Sequence, residues 1–150
     1  MGTVIALDTN VLVYAHRRDF PQHERTLSAM AGLSATGEPW ALPWPCVAEF
    51  VCVVTNPRYL PKPSSIAEAV DQVHAWREVP SCRLLTETGL TEETFFRLIE
   101  QAKAVGPRVY DARIAAICLD HGVRELWTAD RDFSRFPKLR THNPLSDGTQ

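Results

Sequence analysis

The stretch TVIALDTNVLVYA, residues 3–15, limits the possible folds more than any other part of the chain. Residues 3–7 are almost continuously apolar, the pattern of a short strand buried on both faces of a parallel sheet. Asp8, Thr9 and Asn10 follow at once, and a second apolar run begins at Val11. Asp, Thr and Asn are helix-capping residues, so the triplet predicts a strand that passes directly into a helix reaching about His16. That is the first half of a βα unit. It places Asp8 where open parallel sheets bind ligands, just outside the carboxyl ends of the strands.

The same alternation recurs along the chain. Pro21 precedes a helical stretch over about 22–35, and EPWALPWP (38–45) reads as a short strand and a turn. Pro45 suits the first turn of a helix to about Thr55. After the proline-rich loop TNPRYLPKPSS (55–65), Ser65 is expected to cap a helix over 66–77. CRLLTE (82–87) is a second clear strand, and Thr91 is expected to cap a helix to about Val105, with acids in its first turn. Gly106-Pro107 breaks that helix, and YDARIAAICLDHG (110–122) forms another, stopped by Gly122. RELWTAD (124–130) is a third strand and KLRTHN (138–143) a weak last one. The fold class that follows is α/β, a mainly parallel sheet covered on both faces through right-handed crossovers. No repeat or linker divides the 150 residues, so one domain is expected over 1–144, with a loose tail over 145–150.

No apolar stretch reaches the roughly 18 residues of a membrane helix, and Asp8 interrupts any signal-peptide core, so a cytoplasmic protein with no membrane partner is expected. Cys46, Cys52, Cys82 and Cys118 form no C-x-x-C pair, and the histidines lack zinc-type spacing. Each cysteine lies among apolar residues and is expected to pack in the core.

Several acids stand in apolar company. Asp8 can be read as a helix cap alone. Glu49, in CVAEFVCVVT, has Cys46, Cys52 and Val53 on its own helical face and otherwise reads as the edge of a wide apolar stripe. Asp111 shares a face with Ile114, Ala115 and Cys118, or serves only as a first-turn acid favoured by the helix dipole. Asp130 and Asp132 lie just past the third strand in TADRDF, where either can cap a short turn. Taken singly, each of these plain readings holds. Together they require several carboxylates near one another with no obvious lysine or arginine partner, which is costly without a cation. An all-oxygen, carboxylate-rich site suits Mg²⁺ or Mn²⁺, which keep waters and leave room for a phosphate. Such a site supports phosphodiester cleavage by a metal-activated water.

ALDTNVLVYA, PCVAEFV, YDARIAAICLDHG and LWTADRDFSRFPKLR occur in the order and rough spacing found in the PIN-domain ribonucleases. The chain resembles most the VapC-type toxins of toxin–antitoxin pairs, over nearly its whole length. The resemblance implies a PIN-like three-layer sandwich with four or five strands. It also implies a metal-dependent endoribonuclease whose acidic quartet is Asp8, Glu49, Asp111 and Asp130, with Asp132 close enough to share metal or water contacts. Thr9, Asn10 and Thr128 match polar positions that support such a site. A small antitoxin would block the site, and the toxin would dimerise or form a hetero-oligomer with it.

The chain holds 18 Asp and Glu against 16 Lys and Arg, and with the five motif acids set aside the remainder is net basic. Arg17, Arg18, Arg113, Arg131 and Arg135 lie near the motifs and are candidates to hold RNA phosphates, Arg17, Arg113 and Arg131 foremost. Among Trp40, Trp44, Tyr59 and Trp76, at least two are expected in the core and the others are free to stack on bases. An antitoxin helix is expected to use apolar surface at Val11, Tyr14, Leu27 and Val51. Two rivals remain at this point. One is an inactive PIN-like module that only binds RNA or protein. The other is a metal-dependent phosphatase on another α/β fold, although DTN lacks the second acid of a D-x-D phosphatase motif.

Overall fold

The computed structural model describes residues 4–146. Five parallel strands form one sheet in the order β3-β2-β1-β4-β5. They are β1 (Ile5–Leu7), β2 (Trp40–Pro43), β3 (Cys82–Leu85), β4 (Glu125–Trp127) and β5 (Thr141–His142). Six α-helices connect them: α1 (Thr9–His16), α2 (His23–Thr36), α3 (Trp44–Val54), α4 (Ile66–Glu78), α5 (Thr91–Ala102) and α6 (Arg108–Asp120). A 3-10 helix, Arg131–Arg135, follows β4.

The chain steps from β1 to β2 to β3 in one direction, then crosses back to β4 on the far side of β1. Right-handed crossovers therefore place α1–α4 on one face and α5 and α6 on the other. The contacts agree, since α1 packs on α2 and α3, α3 on α4, and α5 on α6. The reversal falls between β1 and β4, the position where open α/β sheets form a crevice. β1 and β2 are buried at every residue, as strands covered on both faces must be. Phe50, Phe133, Phe136, Leu7, Leu12, Leu42, Ile117 and Leu126 fill the layers around them.

Most element boundaries lie within two residues of expectation. The differences have local causes. α6 starts at Arg108, because Pro107 serves as its N-cap residue instead of only breaking α5. Thr91 is the first residue of α5 rather than its cap. Leu90 holds the cap position, and the Thr91 hydroxyl turns back to accept the Thr88 N–H at 2.8 Å. α5 ends at Ala102, where Lys103 adopts a left-handed conformation (φ 53°). Ser65 forms a complete capping box with Glu68 on α4. Gly122 follows α6 at φ 66°, a backbone region in which a side chain would be strained.

Three surface expectations change. Cys52 is exposed, whereas Cys46, Cys82 and Cys118 are buried. Val11 is fully buried beneath α1 and offers no groove surface. Residues 144–146 are held in a turn, with the Arg25 guanidinium donating to the Leu145 carbonyl at 2.7 Å. The expected start of the first strand at Thr3 and the last four residues of the expected tail lie outside the described residues. Trp40 and Trp76 are in the core, while Trp44 and Tyr59 are exposed.

Candidate active site

Asp8 follows β1 in extended conformation and caps α1, because a strand buried on both faces leaves only its carboxyl end open for a polar residue. Its carboxylate is only 5% exposed. Oδ1 accepts the Thr9 N–H at 2.8 Å and lies 3.6 Å from the Cys46 thiol, which points its S–H at it. Oδ2 accepts the Thr128 hydroxyl at 2.7 Å and, more weakly, the Asn10 amide at 3.4 Å. Burial raises the pKa of Asp8 above the usual carboxylate range, and the nearby Glu49 charge adds to the rise. The donors Thr128, Thr9 and Cys46 oppose it.

The polar neighbours join the two central strands. Thr128 donates to Asp8 and accepts the Asp130 N–H at 2.9 Å. Asn10 accepts the Ala129 N–H at 3.2 Å and reaches the Thr128 hydroxyl at 3.3 Å. DTN after β1 and TAD after β4 thus form one hydrogen-bonded unit across the switch point. Thr9 extends it to α3, where its hydroxyl donates to Glu49 Oε1 at 2.6 Å. α3 packs on α1, and Glu49 is exposed at the border of that contact, one helical turn past the buried Cys46, rather than on the buried apolar face.

Asp111 arrives from the opposite face of the sheet, in the first turn of α6. One carboxylate oxygen each from Asp111, Asp130 and Asp132 lies within 4.8 Å of the other two. Desolvation pushes the pKa of Asp111 up to about 6, and the charges of Asp130, Asp8, Asp132 and Glu49 push the same way, in that order. Asp130 also caps the 3-10 helix, accepting the Asp132 N–H at 2.8 Å. Two adjoining hollows share these acids. One, of about 380 Å³, is lined by Glu49, Asp111, Asp130 and Asp132 with Tyr110 and Arg113 on its rim. The other, of about 350 Å³, is lined by Asp8, Asn10, Glu49, Asp111 and Asp130 with Tyr14 and Phe20 beyond.

All five expected acids and their three polar neighbours therefore meet in one cleft. They divide within it: Asp111, Asp130 and Asp132 form the tight group, and Asp8 and Glu49 face it from the α1–α3 side. The donor set is entirely oxygen, several carboxylates face one another unpaired, and the cleft has room for water and a phosphate. These features fit a hard divalent cation such as Mg²⁺ or Mn²⁺.

The expected arginines are not gathered in the same way. Arg17 lies at the far end of α1, clamped on Asp19 at 2.9 and 2.7 Å. Arg113 sits on the cleft rim with its Nε donating to Glu87 at 2.7 Å. Arg131 is exposed on the 3-10 helix. Two residues were missed by sequence reasoning. Arg108, one turn before Asp111 on α6, brings its Nη1 within 3.1 Å of Asp132 Oδ1, so one acid does have a cationic neighbour. No local signal was available, because its partner lies in the 3-10 helix after β4, 24 positions along the chain. Cys46 was read only as a core thiol, and its position one turn before Glu49 was the available signal.

The fold and cleft define a class: a parallel α/β protein with a cluster of carboxylates at its topological switch point. Residues 5–139 match the PIN domain family. The chain belongs to that family, and its curated relatives are VapC ribonucleases. It is 35% identical to VapC ribonuclease Mb2897 of Mycobacterium bovis over 97% of this chain and 99% of the relative. Two solved structures have the same fold. Mycobacterium tuberculosis VapC20, a sarcin-ricin loop cleaving toxin, has a TM-score of 0.64 at 18% identity, covering 87% of this chain and 92% of that one. A toxin–antitoxin complex from Klebsiella pneumoniae has a TM-score of 0.58 at 17% identity, covering 93% and 97%.

Proposed function

We propose that this chain is the endoribonuclease toxin of a toxin–antitoxin pair, working in the cytoplasm with Mg²⁺ or Mn²⁺ held by Asp8, Glu49, Asp111 and Asp130, and with Asp132 contributing. The observation that carries this reading is the meeting of five carboxylates, from both faces of the sheet, in one cleft of a PIN-domain chain. The metal, when bound, supplies the charge that makes water a nucleophile near neutral pH and offsets the charge of the phosphodiester. Thr9 orients Glu49, Thr128 orients Asp8 and the Asp130 backbone, and Asn10 fixes the spacing between the two loops. Arg113 and Arg131 flank the acids and favour the phosphates on either side of the scissile bond.

Relatives named as ribonucleases, and structures of the same fold described as a cleaving toxin and a toxin–antitoxin complex, support a small antitoxin partner and assembly as a homodimer or hetero-oligomer. Tyr14, Leu27 and Val51 are partly exposed and suit an amphipathic antitoxin helix. An inactive binding module fits the chain less well, because every acid of the quartet is present. The phosphatase rival presupposed another α/β fold.

The test is incubation of total RNA with the purified chain in Mg²⁺, in Mn²⁺ and in EDTA, with sequencing of the new 5′ ends. Discrete cleavage sites that vanish in EDTA are expected. Cleavage that persists in EDTA, or none under any condition, would sink the metal-dependent reading.

A further inference from the structure

α1 has a different site at each end. Asp8 caps its N-terminus in the acidic cleft. At its C-terminus His16, Arg17, Arg18, Lys62 and Ser64 line a separate hollow of about 640 Å³ together with the first turns of α4. The acids of this second hollow are already engaged. Asp19 receives both arms of the Arg17 fork, and Glu68 accepts the Ser65 N–H at 2.8 Å in the capping box of α4. These bonds hold both carboxyls below their usual range. Its floor is also a closed network. Arg17 Nη1 donates to Ser64 Oγ at 3.2 Å, and His16 joins Ser64 at 2.9 Å and Gln72 at 3.0 Å. Ser64 is buried, and Arg17 keeps only 12% of its side-chain exposure. Arg18 and Lys62 remain, both exposed on the same rim and both without an ion pair or hydrogen bond among the described residues. The hollow thus offers two uncommitted cations over a floor whose hydrogen bonds are already made.

A continuous surface leads there from the acidic cleft. Asn10, Val13, Tyr14 and Arg17 stand at i, i+3, i+4 and i+7, one stripe of α1. Asn10, Val13, Tyr14 and Phe20 line the acidic side, and Arg17 to Asp19 line the basic side, so the turn after α1 borders both hollows. Tyr14 and Phe20 pack edge to face at 5.5 Å, halfway along. Eight residues of helix span about 12 Å, on the order of two nucleotides of extended single strand. A cationic end point, an aromatic pair and an acidic cleft in line have the elements of a single-strand track.

We propose that Arg18 and Lys62, over the Arg17–Ser64 floor, form a phosphate subsite that holds the RNA backbone about two nucleotides from the scissile bond. This rests on the ribonuclease reading. The subsite sets which length of single strand is bound productively, and it reads no base.

The experiment compares the full wild-type chain with Arg18→Gln/Lys62→Gln, both changes being at exposed positions. Binding of a fluorescent, 2′-O-methylated hexanucleotide in Mg²⁺ is followed by anisotropy at several salt concentrations, beside cleavage of an unmodified strand. The double variant is expected to bind about tenfold more weakly at low salt, and the slope of log K against log salt should fall by about 1.4, two phosphate contacts on a single strand. With a dinucleotide, too short to reach the hollow, the difference should shrink. Equal affinities and slopes, with cleavage by the wild type intact, would overturn the subsite and leave the nuclease reading standing. Wild-type protein that neither binds nor cleaves RNA would overturn both. Unchanged RNA binding with loss of a co-expressed antitoxin would assign the hollow to the protein partner and overturn the proposal as well.

Discussion

Asp8 and Asp111 face the same cleft from opposite sides of the sheet and are held in different ways. Asp8 is buried at a strand end, and donors from Thr9, Cys46, Asn10 and Thr128 surround its two oxygens. Asp111 is half-buried in the first turn of a helix, and its carboxylate receives no hydrogen bond among the described residues, while desolvation and then the charges of four other acids raise its pKa. Both are held above the usual carboxylate range, but donors offset much of the cost at Asp8, and none does so at Asp111 among the described residues. The pairing teaches that a shared role in a site does not imply a shared role in stability. Substitutions can separate the two.

The largest expected effect is common to both acids. Asp8→Asn and Asp111→Asn should each lower the cleavage rate on the order of 10²–10³-fold, as removal of a preorganised charge at a reacting centre does. Rates come from single-turnover cleavage of a labelled RNA. If either variant cleaved like the wild type while folded, that residue would leave the proposed ligand set. Next in size is Thr128→Val, which keeps the shape but removes the hydroxyl that donates to Asp8 and accepts the Asp130 N–H. A loss of about 10- to 100-fold is expected, since Thr128 orients groups and contacts no substrate in this scheme.

Stability then divides the pair. Asp8→Ala removes a helix cap and leaves the Thr128 hydroxyl and Thr9 N–H unpaired, a cost of about 2 kcal/mol or roughly 4–8 °C. Asp111→Asn should move the other way. The folded pKa of Asp111, about 6, lies above the roughly 3.9 of an unfolded aspartate, so the folded state holds this proton more tightly. The stability it carries is complete below about pH 4 and is lost as the pH rises through 6. The asparagine variant escapes that loss. In metal-free buffer it should match the wild type near pH 4 and exceed it above pH 6, by roughly 1 kcal/mol or 2–4 °C once screening by water is allowed for. Saturating Mn²⁺ should raise the melting temperature of the wild type and close the gap. Melting curves at pH 4, 6 and 8, with and without metal, decide the matter, and a constant offset at all three would refute the raised pKa of Asp111, whether desolvation or its neighbours cause it.

The difference between the two acids also marks what the sequence could reveal. The βα order, the helix caps and the burial of β1 follow from apolar periodicity and capping chemistry, both local properties. Asp8, Glu49 and Asp111 stood out because each interrupts an apolar face. The tight grouping of Asp111 with Asp130 and Asp132 depends on how α6 lies against the loop after β4, and that is tertiary. So does the Arg108–Asp132 pair, whose partners are 24 positions apart. Val11 misled for a related reason: α1 packs on both α2 and α3, and an apolar stripe does not say which of its residues stay open to water. Arg17 was singled out for being near the motif in sequence, yet a helix carries it a full helix length from the acids.

The smallest expected effect tests how complete the shell around Asp8 is. Cys46 is fully buried and its thiol reaches Asp8 Oδ1 at 3.6 Å, a weak donor beside the backbone N–H on the same oxygen. Desolvation, with the Asp8 charge beside it, holds the Cys46 thiol well above its ordinary pKa, so it stays an S–H donor across the working range. That donor favours the ionised form of Asp8, so its loss should make Asp8 harder to deprotonate. Cys46→Val keeps the packing volume roughly constant and removes the donor. The acid limb of the pH–rate profile should then move upward by a few tenths of a unit, costing about two- to threefold at pH 6 and little at pH 8. Cys46→Ser, which restores a hydroxyl donor, should bring the limb back. A profile for Cys46→Val that falls equally at pH 6 and pH 8 would mean that Cys46 acts through packing alone, and that the shell around Asp8 is complete without it.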